Sequence, residues 1–455
     1  MSWTQVASGR YRRQAGENEL FLKFIGDGVH RLGREQWSVS TTAVFKASPH
    51  ISLVDGWNPI LRQAWQLLRY LHPSIASTAT DTGHIEYAVP DTRELLSQWL
   101  DTTFFVLAAD DIDADDVIAG FGPNPSATLH FLPAESRVIL HTAHWRTDGP
   151  GALQLLDAFF SNVASIINGS STLQLAWGEE VARLVPSVET ALRLPDTAPP
   201  ELVAAAKRYL ASAASLAGTV GVPVLGEPST LPGGTRRVQQ ELSEHATTAL
   251  KSACNKHGLK LISAVHAAVA TVTYAKAAPE NKEKPYASTI RLSLRPCLPA
   301  PYNTAAVAAG LYTGGYTVQV HSNQTLLERA QEYDRHYRRG VTEEFLGSRR
   351  EYARLGLGVL RGGARPSPVS NIDVSFVEGV DDMVTSEYTL QNTGQVCLEV
   401  CELGLGVETV TRQPLCFAWE FCGRLTVSLW YNEAYHNHET AEGILVELKE
   451  VLHEL

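Results

Sequence analysis

One imidazole, one carboxylate and one glycine stand together in the run His144-Trp145-Arg146-Thr147-Asp148-Gly149. Imidazole is the side chain whose ordinary pKa, about 6.5, lets it take up and return a proton near neutral pH. An aspartate four residues on is close enough in sequence to pin the loop that aims the ring. With fifteen histidines in the chain, chance supplies His-x-x-x-Asp roughly 0.5 to 1 times, but only about 0.05 times once the following glycine is required. The six-residue version is therefore the one that carries information.

Local pattern places this run at a strand-to-helix turn. Val138 to Ala143 reads as a strand that delivers His144 to a loop. Pro150-Gly151 then opens a helix with Leu153, Leu156, Phe159, Phe160, Val163 and Ile166 on one face. His141, three residues before His144 on the strand, should face the other way and serve structure. Upstream, Asn58 to Leu71 has helical spacing with Pro73 beyond it, and Ala127 to Leu132 is strand-like. In the second half, Ile262 to Ala277 predicts a helix, and Thr289 to Leu294, Gly315 to Val320, Cys397 to Glu402 and Phe417 to Tyr431 predict strands. Alternating strands and helices in each half predict an α/β fold with mixed sheets.

Length and composition narrow the class. A chain of 455 residues is too long for one compact core. Residues 1–200 and 237–455 read as two domains, and the proline-punctuated 201–236 as the linker or crossover between them. The net charge of −11 offers no basic surplus for nucleic acid. No signal peptide and no apolar run long enough for a membrane span stand out, so a cytoplasmic protein is expected. Cysteines 397, 401, 416 and 422 cluster, but no Cys-x-x-Cys pair occurs, and no metal is expected. Gly356-Leu-Gly358 and Gly404-Leu-Gly406 lack the third glycine of a nucleotide loop, and the signatures of serine hydrolases and zinc proteases are missing.

The His144-x-x-x-Asp148-Gly149 block resembles the core motif of the HxxxD-type, acyl-CoA-dependent acyltransferases related to chloramphenicol acetyltransferase. The likeness is strongest to fungal trichothecene 15-O-acetyltransferase-like proteins. It extends along the chain through Trp65-Gln-Leu-Leu-Arg69 with His72-Pro73, Ala253-Cys254 to His266, Ser293-Leu-Arg295-Pro296, Ser370-Asn371-Ile372 and Tyr431. The resemblance implies two α/β domains, each a mixed sheet with flanking helices, meeting at a tunnel with the histidine midway along it. It implies an O-acyltransferase in which His144 is the general base and Asp148 turns away to pair with an arginine, Arg295 first and Arg291 second. The cosubstrate implied is an acyl-CoA, expected to be acetyl-CoA, with no resident cofactor. The partner is a small-molecule alcohol from secondary metabolism, and a monomer is expected. The Gly149 N–H and Ser370 or Asn371 are the expected donors to the oxyanion. Trp419 and Tyr431 are candidates for lining the acceptor pocket. Plant members carry an Asp-Phe-Gly-Trp-Gly block that this chain lacks; Leu415-Cys-Phe-Ala-Trp-Glu-Phe-Cys stands nearest to it. A condensation-domain-like enzyme that uses a carrier-protein thioester, or releases or cyclises a polyketide or terpenoid, is the alternative. Such a domain would show a second histidine where Ala143 stands.

Overall fold

A computed structural model describes residues 2–49, 51, 56–108, 112–169, 175–363, 369–390 and 393–455. In chain order the strands that matter for the site begin with β1 (Val39–Ala47), β2 (Phe104–Val106), β3 (Thr128–Leu132) and β4 (Arg137–Thr142). The second half adds β5 (Thr235–Glu241), β6 (Tyr286–Ser293), β7 (Thr313–Val320) and β8 (Asp373–Val377). It ends with β9 (Glu387–Thr389), β10 (Val396–Val407), β11 (Leu415–Phe421) and β12 (Arg424–Asn432). The first sheet has six strands in the order β9-β10-β1-β4-β3-β2, mixed because β2 and β3 run parallel. The second has four, β8-β11-β12-β5, with β8 parallel to β11. The hairpin β6-β7 lies beside β8, and side chains bridge the two.

The sheets are not divided where the sequence is. Strands β9 and β10 come from the second half but pair into the first sheet, β10 against β1 from Val407↔Val39 to Leu398↔Ala47. Alternation of side chains along a strand lets β10 bury both faces. Gly406 is the point of closest approach to the second sheet: a Cβ there would stand 1.9 Å from the Trp430 ring. The Gly-Leu-Gly run that lacked a nucleotide-loop pattern is thus a packing device on a strand.

Two large apolar cores result. One joins the first sheet, the helices α2 (Trp57–Leu71) and α3 (Gly149–Ile167), and the inner face of β11 and β12. The other lies behind the second sheet around α5 (Leu261–Lys276). The stretch expected as linker carries the helix α4 (Pro200–Ala214), whose Ala205 and Ala206 are fully buried. Beyond it, backbone bonds from Val220 to Pro285, Val222 to Ser370 and Leu225 to Tyr435 lay the chain along the second half. The single strand expected over Phe417 to Tyr431 is two strands. Cys422 and Gly423 both adopt positive φ, 49° and 73°, which makes the tight hairpin turn of that sheet. No single helix among the described residues is long and apolar enough to cross a membrane.

Candidate active site

Strand β4 ends at Thr142, and α3 starts at Gly149. Asp148 is its N-cap: Oδ1 accepts the Gly151 N–H at 2.9 Å, satisfying one of the amides a helix start leaves unpaired. Pro150 sits in the first turn, where its missing N–H costs nothing. The apolar stripe of α3, from Leu153 to Val163, is buried against the first sheet, so the loop 143–148 has a rigid wall at each end.

His144 projects from that loop. Its Nδ1 lies 3.0 Å from the Thr147 carbonyl. A carbonyl oxygen only accepts, so Nδ1 carries the proton and donates it, and Nε2 is left with a lone pair. Burial lowers the His144 pKa below the ordinary 6.5, and the Arg291 charge adds to the effect; its hydrogen bonds and Asp148 oppose it. The imidazole is neutral at neutral pH. His144 keeps partial exposure, whereas Trp145, Arg146, Thr147 and Asp148 are all buried. A neutral ring with a free Nε2 and an accessible edge can take a proton from a hydroxyl.

Asp148 faces away from that edge. Arg295 Nη1 donates to its Oδ1 at 2.7 Å and its Oδ2 at 2.6 Å, and the Tyr312 N–H donates to Oδ2 at 2.7 Å. The other guanidinium nitrogen, Nη2, donates to Gly310 O at 2.9 Å and Ala308 O at 3.2 Å. Thr147 Oγ1 reaches the same Ala308 carbonyl at 2.7 Å. One carboxylate therefore caps a helix of the first half and clasps the segment 308–312 of the second. Arg291, the other candidate partner, binds Asp373 Oδ2 at 2.7 Å instead. Gly151 makes room for the clasp: a Cβ there would stand 2.3 Å from Ala308 O and 2.4 Å from Arg295 Nη2. Thr147, Gly151 and Tyr312 escaped sequence reasoning. Only Gly151 left a signal, as a poor helix former in the first turn of a strongly apolar helix.

The remaining nominees sit elsewhere. Asn371 is fully buried, its amide donating to Ala287 O at 2.7 Å and accepting from Gln413 at 3.1 Å. It is a strut between β6 and β8, not an oxyanion donor. Ser370 lies against Gly221, and its carbonyl accepts the Val222 N–H. Trp419 and Tyr431 are each 2 % exposed, Trp419 in the core shared by both sheets and Tyr431 in the core behind the second. Apolar packing claims their rings, so they line no open pocket. His141 bonds Ser40 Oγ at 3.0 Å and stacks on Phe121.

The second sheet approaches Gly149 through a different residue. A Cβ on Gly149 would stand 3.4 Å from Leu405 and 3.9 Å from Val377. Ser375, two residues before Val377 on β8, is on the same face and partly exposed. The segment Ser370-Asn371-Ile372 lies just before β8, and Ser375 is a later serine on the Val377 face of that strand.

No model of a protein family matches the chain. It is 45 % identical over 454 residues to the acetyltransferase pigO of Monascus ruber, covering 99 % of this chain and 97 % of that protein. It is 29 % identical over 456 residues to the O-acetyltransferase pigM of the same organism, covering 99 % and 87 %. In fold it is similar to trichothecene 15-O-acetyltransferase from Fusarium sporotrichioides, with a TM-score of 0.83 at 16 % identity over 99 % of this chain and 96 % of that one. The chain belongs to the HxxxD-type superfamily of acyl-CoA-dependent acyltransferases and moves an acyl group to a hydroxyl acceptor.

Proposed function

We propose that the acyl group is acetyl, that the acceptor is a hydroxyl of a fungal secondary metabolite, and that His144 is the general base. The observation that carries the base role is the Nδ1–H donation to Thr147 O, which leaves Nε2 as the acceptor on an accessible edge. In this reading the hydroxyl gives its proton to Nε2 as its oxygen attacks the thioester carbonyl. The tetrahedral intermediate then expels the thiolate, breaking the C–S bond, and the imidazolium returns the proton to sulfur. The Gly149 N–H at the start of α3 and the Ser375 hydroxyl are the proposed donors to the oxyanion. Asp148 and Arg295 hold the loop and take no proton.

Acetyl as the group rests on the names of the two Monascus relatives. The domain division at 201–236, a monomeric state and a cytoplasmic address belong to the same proposal, checked by limited proteolysis, light scattering and fractionation. The test of the chemistry is product mass. Acetyl-CoA and a panel of hydroxylated polyketides and terpenoids should yield an ester heavier by one acetyl group, and His144→Ala should abolish it with the fold intact. An acyl-loaded carrier protein that reacts where acetyl-CoA does not would favour the condensation-like reading.

A further inference from the structure

Apart from the His144 site, three potential ligand groups converge where α1 (Glu17–Asp27) ends. His30 Nε2 lies 3.6 Å from Asp27 Oδ1 and 3.9 Å from Glu35 Oε2, and one donor atom of each residue falls within 4.8 Å of the others. No other such group occurs among the described residues. His30 and Asp27 are partly exposed at the rim, with side chains 38 % and 36 % accessible, and Glu35 forms the floor at 5 %.

Glu35 is the odd member. It is buried, and among the described residues its ion-pair partner is His30, 3.9 Å away. Lys23 is occupied by the other oxygen of Asp27, Oδ2. A buried carboxylate therefore stands beside an imidazole and a second carboxylate.

We propose that Asp27, His30 and Glu35 bind one divalent transition-metal ion of the zinc type. One imidazole nitrogen and two carboxylate oxygens form a ligand set that zinc accepts, with a fourth position open to water. Zinc bonds of about 2.0–2.1 Å in a tetrahedron separate ligands by about 3.3 Å, so His30 needs to close on each carboxylate by a few tenths of an ångström, and the two carboxylates, within 4.8 Å of each other, must also draw together. The ion would tie the end of α1 to the segment before β1. That segment is already anchored, since Gln36 Oε1 accepts the Val410 N–H and the Trp37 N–H donates to Glu408 O. The metal is thus a clamp on the fold, and its readout is binding and stability.

The experiment is calorimetric titration of chelator-stripped full-length protein with zinc chloride, with magnesium chloride in parallel. X-ray absorption follows on the loaded protein. One equivalent of zinc should bind, raise Tm by about 3 °C or more at saturation, and show a nitrogen and oxygen shell without sulfur. His30→Ala, on an exposed side chain, and Glu35→Gln should each weaken binding about tenfold or more. Absence of binding, unchanged binding in both variants, an equal response to magnesium, or sulfur in the shell from exposed Cys297 or Cys422 overturns the assignment.

Discussion

Asp148 and Arg295 stand 147 residues apart and form a buried ion pair whose carboxylate also receives the Gly151 and Tyr312 amides. The pair couples the helix that follows His144 to the segment of the second half at residues 308–312. The loop that carries the imidazole is therefore held from both halves at once.

That pair should be tightly coupled. Removing one partner leaves a buried charge unmatched, which typically costs about 3–5 kcal/mol. Asp148→Ala and Arg295→Ala should each lose stability on that scale in urea unfolding. The double variant should lose clearly less than their sum. Additive losses, or single losses under about 1 kcal/mol, would contradict the coupling.

Two glycines two residues apart should respond in opposite ways. Gly151→Ala drives a methyl into Ala308 O and Arg295 Nη2, so it should yield unstable or insoluble protein. Gly149→Ala meets Leu405 and Val377 at ordinary contact distance, so it should melt close to the parent. Equal melting temperatures for the two variants would show that the clasp is not as tight as described.

The pH profile follows from the His144 shift. Burial holds its pKa below 6.5, so the active neutral ring persists into mild acid. The value of kcat/KM should stay level from neutral pH down to about pH 6.5 and fall only below it, as the ring gains a proton. The folded-state pKa is depressed, so the neutral ring's contribution to stability is present above about 6.5 and is lost as pH falls through the lowered value. An acid limb centred at pH 7 or higher would reject a neutral, buried base.

Ser375 and Asn371 should separate catalysis from support. Ser375→Ala should lower kcat by about 10²-fold, within the range for a lost oxyanion donor, with little change in Tm. Asn371→Ala removes a fully buried strut, so it should lower Tm first. If Ser375→Ala keeps full kcat, the oxyanion depends on the Gly149 amide alone.

Much of this molecule is legible along the chain because the signals are local. The strand before His144, the apolar stripe of α3 and the strand–helix alternation all follow from spacing over a few residues. The motif singled out His144 as the proposed base for the same reason: its ring, its aspartate and its glycine are neighbours in sequence. Arg295 was reachable only through resemblance, since nothing in local pattern separates it from Arg291. Tertiary structure made that choice by bringing residues 308–312 to Arg295 and Asp373 to Arg291.

What the chain alone could not specify is long-range pairing. Insertion of β10 beside β1 joins residues more than 350 positions apart, and no periodicity announces a partner. The same limit misplaced Asn371, Trp419 and Tyr431, whose types suit a pocket but whose side chains are buried in packing. Residue type and spacing determined the chemistry on offer. Burial, strand register and the contact between the halves decided which groups remain free to perform it.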